Sequence, residues 1–185
     1  MKNIDDTLRR CISHWEPTWK KYQYVLENKN CIDIGIWKGV LNAMAKKEFN
    51  CNTIIGVEPN KEHQNDCKKF YPSIELYNTI KDIPNDINVD LILMHGVICL
   101  MGDAWQEELQ LLFKKVNAKF LHIRHRNFIK NTKVGNKNRE YNIHNLKNYN
   151  SSPSKNMLIT FLKKYKYELT IDITIDNNNI LIFEK

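Results

Sequence analysis

Three groups in this sequence have the types and spacing to hold a ligand and act on it. The first is the glycine pair in Asp33-Ile34-Gly35-Ile36-Trp37-Lys38-Gly39. Glycines let a backbone turn sharply and come close to a bound molecule. The second is Glu58, the acid that closes the apolar run Thr53 to Val57. A carboxylate can accept hydrogen bonds from two vicinal hydroxyls, such as a ribose carries. The third is His95, which follows the run Val89 to Met94, apolar except for Asp90, and precedes Gly96. A neutral imidazole at such a place can take a proton from an attacking nucleophile.

The elements that must position these groups are also legible. Cys31 to Ile34 reads as a short buried strand carrying one acid. Val40, Leu41, Ala43 and Met44 recur at helical spacing, and Thr53 to Val57 reads as a second strand. Strand, glycine turn, helix, strand, acid is the order of a dinucleotide-fold half unit with a ribose-binding carboxylate at its end. In an open parallel sheet, ligands bind beyond the carboxyl ends of the strands where strand order reverses. Gly35 and His95 then face one crevice.

The pattern Asp33-x-Gly35-x-x-x-Gly39 differs from the G-x-G-x-x-G of NAD proteins, which has no acid just ahead of it. It resembles motif I of the class I S-adenosylmethionine-dependent methyltransferases, with Trp37 in place of the middle glycine. Glu58 resembles their ribose-binding acid. Asp82-Ile83-Pro84 is similar to their stretch beside adenine, which makes Thr79 and Asp82 candidate contacts. Asp90 to Val97 is similar to their motif IV, where a residue past the strand meets the methyl acceptor.

Composition narrows the rest. The 185 residues suit one domain with a sizeable core. Lys plus Arg is 28 against 21 for Asp plus Glu, a net charge of +7. Many lysines alternate with asparagines, so the charge argues only weakly for a nucleic-acid partner. No run approaches the ~20 apolar residues of a membrane span, and the N-terminus carries no apolar signal core. A cytoplasmic protein is expected. The five cysteines lack C-x-x-C spacing and read as reduced thiols. His122-x-x-His125 on a strand points its two rings to opposite faces, so no metal site is expected.

Along the chain, residues 4–27 read as a helical cap, with Ile4, Leu8 and Ile12 on one face. Trp15, Trp19, Tyr22 and Leu26 form a second stripe. Tyr22 or Tyr24 could reach the cofactor, as such leading segments do in the family it resembles. Asn60 can cap a helix over 61–71. Ser73 to Tyr77 reads as a third strand, joined to the fourth by a loop or single turn. Asp103 with Gln106 reads as a capping box ahead of the Trp105, Leu109, Leu112, Phe113 face. Phe120 to Ile123 is the fifth strand. Residues 127–153 have no hydrophobic period and overhang the crevice. Arg124, Arg126, Lys130 and Tyr141 are candidate contacts for an anionic acceptor. A helix from Ser152-Pro153 and two strands, Tyr167 to Ile175 and Ile180 to Phe183, end the chain.

The resemblance covers about residues 28–185 and leaves 1–27 as the cap. It implies an α/β fold with a seven-stranded, mostly parallel sheet in order 3-2-1-4-5-7-6. Strand 7 is antiparallel and helices cover both faces. It implies methyl transfer from S-adenosyl-L-methionine to an O or N nucleophile of a small molecule, with a glycan or phosphorylated metabolite as the acceptor class expected. Asp33, Gly35, Ile36, Trp37, Gly39, Glu58, Thr79, Asp82 and His95 would hold the cofactor, with His95 as base and Asp33 either organising the glycine turn or contacting the cofactor's amino group. An RNA methyltransferase using the basic 124–139 segment, and a non-catalytic cofactor-fold scaffold subunit, are the alternatives.

Overall fold

The computed structural model describes residues 18–126, 153–175 and 178–185. Seven strands form one sheet in the order β3-β2-β1-β4-β5-β7-β6. They are β1 (Asn30–Ile34), β2 (Asn52–Val57), β3 (Glu75–Tyr77), β4 (Ile87–His95), β5 (Val116–Arg126), β6 (Glu168–Ile175) and β7 (Asn178–Glu184). Strands β1 to β5 pair in parallel, and β7 lies antiparallel to both β5 and β6. The helices are α1 (Gln23–Leu26), α2 (Val40–Phe49), α3 (Lys61–Phe70), α4 (Ile98–Met101), α5 (Trp105–Lys115) and α6 (Lys155–Lys163).

Strand side chains alternate between faces, and the two cores follow that alternation. Ile32, Ile34, Ile92, Met94, Leu121, Ile123, Leu181 and Phe183 pack against Trp105, Leu109 and Leu112 of α5 and Leu158, Phe161 and Leu162 of α6. On the other face, Cys31, Leu91, Leu93, Phe120, Ile180 and Ile182 meet Trp19, Tyr22, Val25 and Leu26 of the leading segment and Met44, Ala45 and Phe49 of α2. The expected stripe of Trp19, Tyr22 and Leu26 is therefore a packing stripe. Its companions Ile4, Leu8, Ile12 and Trp15 lie outside the described residues.

Several local expectations hold. The Asn60 side chain accepts from the N–H groups of Glu62 and His63, capping α3. A single 3-10 turn over Ile80–Asp82 links β3 to β4. The expected capping box at Asp103 does not form. A 3-10 turn over Gly102–Ala104 runs straight into α5, whose N-cap is Ala104 with no side-chain cap bond. An N-cap needs extended backbone, and Asp103 is already inside the turn. Cys31, Cys51, Cys67 and Cys99 are free thiols. Among the described residues, no helix is long and apolar enough to cross a membrane.

Candidate functional site

Register places the candidate groups in one layer. Ile34 of β1 pairs with Val57 of β2 and with Met94 of β4, and Met94 pairs with Ile123 of β5. One residue further along each strand stand Gly35, Glu58, His95 and Arg124, the last two being register partners themselves. All four lie at the carboxyl ends of parallel strands, on either side of the β1–β4 boundary where strand order reverses.

The glycine turn takes its shape from two left-handed residues, Gly35 at φ 80° and Gly39 at φ 71°. A Cβ on Gly35 would come within 3.0 Å of Val97 Cγ2, so the β1 and β4 turns approach closely. A Cβ on Gly39 would stand 2.8 Å from Cys67 Sγ of α3. The Gly35 and Ile36 N–H groups both donate to the Val57 carbonyl, tying the turn to the end of β2. The Ile36 side chain is buried with Cys67 and Ile74, so this residue offers a ligand its backbone rather than its side chain. Trp37 is left-handed too, at φ 53°, and its indole is exposed.

Glu58 is buried, with a carboxylate held by main chain. Oε2 accepts from the Trp37 N–H at 3.1 Å, and Oε1 from the Asn60 N–H at 2.9 Å. His63 Nδ1 stands 3.4 Å from Oε1. A carboxylate offers about four acceptor positions. Two are taken by N–H groups and His63 approaches a third, which leaves capacity for a hydroxyl donor.

Asp33 sits below the turn rather than in the crevice. It is 2% exposed, and its Oδ2 accepts from Asn42 Nδ2 of α2 at 2.8 Å. The same Asn42 nitrogen reaches Thr53 Oγ1 at 3.0 Å. Burial pushes the Asp33 carboxyl up to about 7, against the lowering effect of the Asn42 bond and with help from Glu58. Its position fits organisation of the turn and not contact with a ligand in the crevice.

Thr79 and Asp82 bond to each other. Asp82 Oδ2 accepts from the Thr79 N–H at 3.0 Å and from its hydroxyl at 3.1 Å. This closes the 3-10 turn two residues past Tyr77, the register partner of Val57. Both residues are exposed at the β2–β3 side of the layer.

His95 is half-buried, and its Nε2 lies 2.8 Å from Nδ1 of the fully buried His122. The rings meet edge to face at 4.7 Å. His95 Nδ1 is enclosed as well. Burial, His122 and Arg124 hold the His95 pKa well below the usual imidazole range, and burial with Arg124 pushes His122 to about 3. Both rings are neutral near pH 7. Tyr22, a candidate cofactor contact, is instead buried against His122 at 5.2 Å between centroids, and Tyr24 leans on Phe120. Arg124 is half-buried beside His95, and of Arg126 only the backbone, at the end of β5, is described. Lys130 and Tyr141 lie outside the described residues. Among the described residues no cluster of His, Cys, Asp or Glu could hold a metal ion.

The structure thus brings together Gly35, Trp37, Gly39, Glu58, His95 and Arg124. It adds His63 and Asn42, which sequence motifs do not single out, and His122. His122 was visible as one half of a His-x-x-His pair, but its partner proved to be His95, on another strand.

No protein-family model and no curated protein matches the sequence. Solved structures do match in fold. An O-methyltransferase family protein from Burkholderia thailandensis superposes with a TM-score of 0.69 at 10% identity, covering 98% of this chain and 59% of that one. This chain therefore spans less than two thirds of that protein. A plantazolicin methyltransferase in complex with a monoazolic desmethylPZN analog and SAH gives 0.66 at 12% identity, covering 100% and 89%. The magnesium protoporphyrin IX methyltransferase from Synechocystis PCC 6803 with bound SAM gives 0.61 at 8% identity, covering 100% and 78%. The fold of this chain is that of the class I S-adenosylmethionine-dependent methyltransferases.

Proposed function

We propose that this chain is an S-adenosylmethionine-dependent methyltransferase acting on an O or N nucleophile of a small molecule. The observation that carries the reading is the placement of Glu58. Its carboxylate lies beyond β2, is bonded to the Trp37 N–H of the glycine turn, and retains acceptor capacity for a sugar hydroxyl. The fold supports the reading, since solved structures of the same architecture hold SAM or SAH.

Gly35, Trp37 and Gly39 would wall the amino-acid and ribose end, and Glu58 would accept from the ribose hydroxyls. When bound, S-adenosylmethionine supplies a methyl group already activated by the sulfonium. What remains for this chain is alignment of two reactants and exclusion of water, a large term for a bimolecular displacement. Arg124, the register partner of His95, would favour an acceptor carrying negative charge. His95 is neutral, as a base must be, but both its nitrogens are engaged or enclosed. A base role for His95 therefore requires its ring to turn out of the bond with His122.

Calorimetric titration with S-adenosylmethionine and S-adenosylhomocysteine tests the reading. Saturable binding of both supports it, and absence of both leaves a scaffold that merely shares the fold. RNA binding that falls steeply with salt and is lost on Arg124→Gln would instead favour an RNA acceptor.

A further inference from the structure

Helix α3 buries two side chains, Cys67 and Gln64. Cys67 packs as a small hydrophobe with Ile36 and Ile74. Gln64 does not fit that role. It is an amide only 7% exposed, at a place where leucine or methionine would pack with no polar group to desolvate. Its hydrogen bonds show what the amide holds. Nε2 donates to the Glu58 carbonyl at 2.5 Å and to Asn78 Oδ1 at 3.0 Å. Oε1 accepts from Lys61 Nζ at 3.2 Å. A carbonyl can only accept, so the nitrogen end of the amide must face Glu58. Both of its protons are then committed.

Glu58 directly follows β2, and Asn78 directly follows β3. One side-chain amide therefore bridges the carboxyl ends of two neighbouring strands. The Glu58 main chain is pinned at both of its polar groups. Its N–H donates to the Tyr77 carbonyl at 2.9 Å, and its carbonyl accepts from Gln64. The start of α3 also reaches the carboxylate, through the Asn60 N–H and His63 Nδ1. A side chain whose backbone and oxygens are both tethered has little freedom to swing away from the crevice. Groups that bind a ligand need such support from residues that do not touch it.

We infer that Gln64 is a positioning residue for a sugar bound at Glu58: its amide fixes the Glu58 backbone against the end of β3, so that the carboxylate meets vicinal hydroxyls in one pose. The inference rests on the proposed seating of a ribose on Glu58. It goes beyond that reading by assigning part of the affinity to a buried residue that acts through Glu58 and touches no ligand.

The test is a double-mutant cycle read by calorimetric titration of S-adenosylhomocysteine. It uses the full chain, Gln64→Met, Glu58→Ala and the double variant. Gln64→Met keeps the length and bulk of the side chain and removes both donors. It should weaken binding by about 10-fold in the parent, and by less than about 2-fold once Glu58 is already Ala, because coupled residues are not additive. A general loosening of α3 would lower affinity by the same factor in both backgrounds. Equal factors, or undiminished binding in Gln64→Met, overturn the inference and leave the cofactor reading intact. Gln64→Glu keeps an acceptor for Lys61 but gives Glu58 no donor when ionised. It repeats the cycle if Gln64→Met does not fold, with the same outcomes expected. A parent chain that binds neither S-adenosylhomocysteine nor S-adenosylmethionine removes the cofactor reading itself, and this inference with it.

Discussion

Replacing Glu58 separates two jobs that the structure gives one carboxylate. It anchors the glycine turn through the Trp37 N–H at 3.1 Å and the Asn60 N–H at 2.9 Å, and it is placed to accept from a sugar. Hydrogen bonds to a charged group contribute about 1.5–3 kcal/mol each. Glu58→Ala removes both anchors, but water entering the crevice can hydrate the two N–H groups. The stability loss should therefore be about 2–3 kcal/mol rather than the sum. Glu58→Gln keeps the size and one carbonyl oxygen but turns an NH2 group toward one N–H, and should cost about half as much. Loss of a charged acceptor for the ribose should weaken S-adenosylhomocysteine binding by about 10- to 100-fold in Glu58→Gln. Urea unfolding reads the first quantity and calorimetry the second. If Glu58→Gln loses stability but binds undiminished, the carboxylate is an anchor only and the sugar lies elsewhere.

Burial raises Asp33 to about 7, so between roughly pH 4 and 7 the folded chain holds a proton that the unfolded chain has released. Stability from this group is then present below about pH 4 and lost as pH rises toward 7, by on the order of 4 kcal/mol; Asp33→Asn should flatten that limb in urea unfolding, and an unchanged slope would show the carboxyl is ionised in the fold. His122 shifts the other way, to about 3, and His95 also falls, so neither ring should titrate between pH 5 and 8 when followed by NMR of labelled imidazoles. A midpoint near 6.5 for either would mean the pair is open to water. Gly39→Ala combines a left-handed φ of 71° with a contact 2.8 Å from Cys67 Sγ, and should cost about 2–4 kcal/mol. Adding Cys67→Ala should recover the steric part but not the backbone part, and full recovery would refute the strain component.

The sheet was largely legible because its signals are local. Leu91 to Met94 is apolar for long enough to be a buried strand segment, and Gly35 with Gly39 punctuates the chain where the turn forms. The Asn60 cap was readable because the bonds run two and three residues along the same segment. Side-chain partners set by packing were not legible. Asp33 is held by Asn42 of α2, and His95 meets His122 on the neighbouring strand, 27 positions away. Side-chain type gives no hint of such pairings, because strand register sets them. Strand ends were misjudged for the same reason: β5 runs from Val116 to Arg126, well past the apolar core Phe120 to Ile123, because β4 and β7 continue to pair with it. Asp103 failed differently, since the chain was already turning before it reached the helix.

The central claim is that an adenosine-containing ligand lies across the carboxyl ends of β1, β2 and β4 with its sugar on Glu58. A crystal structure of the chain grown with S-adenosylhomocysteine tests it most directly. The account predicts ligand density over Gly35, with both ribose hydroxyls within hydrogen-bond distance of the Glu58 carboxylate. Density for the ligand at another place on the molecule, or an empty crevice at saturating ligand, would contradict it.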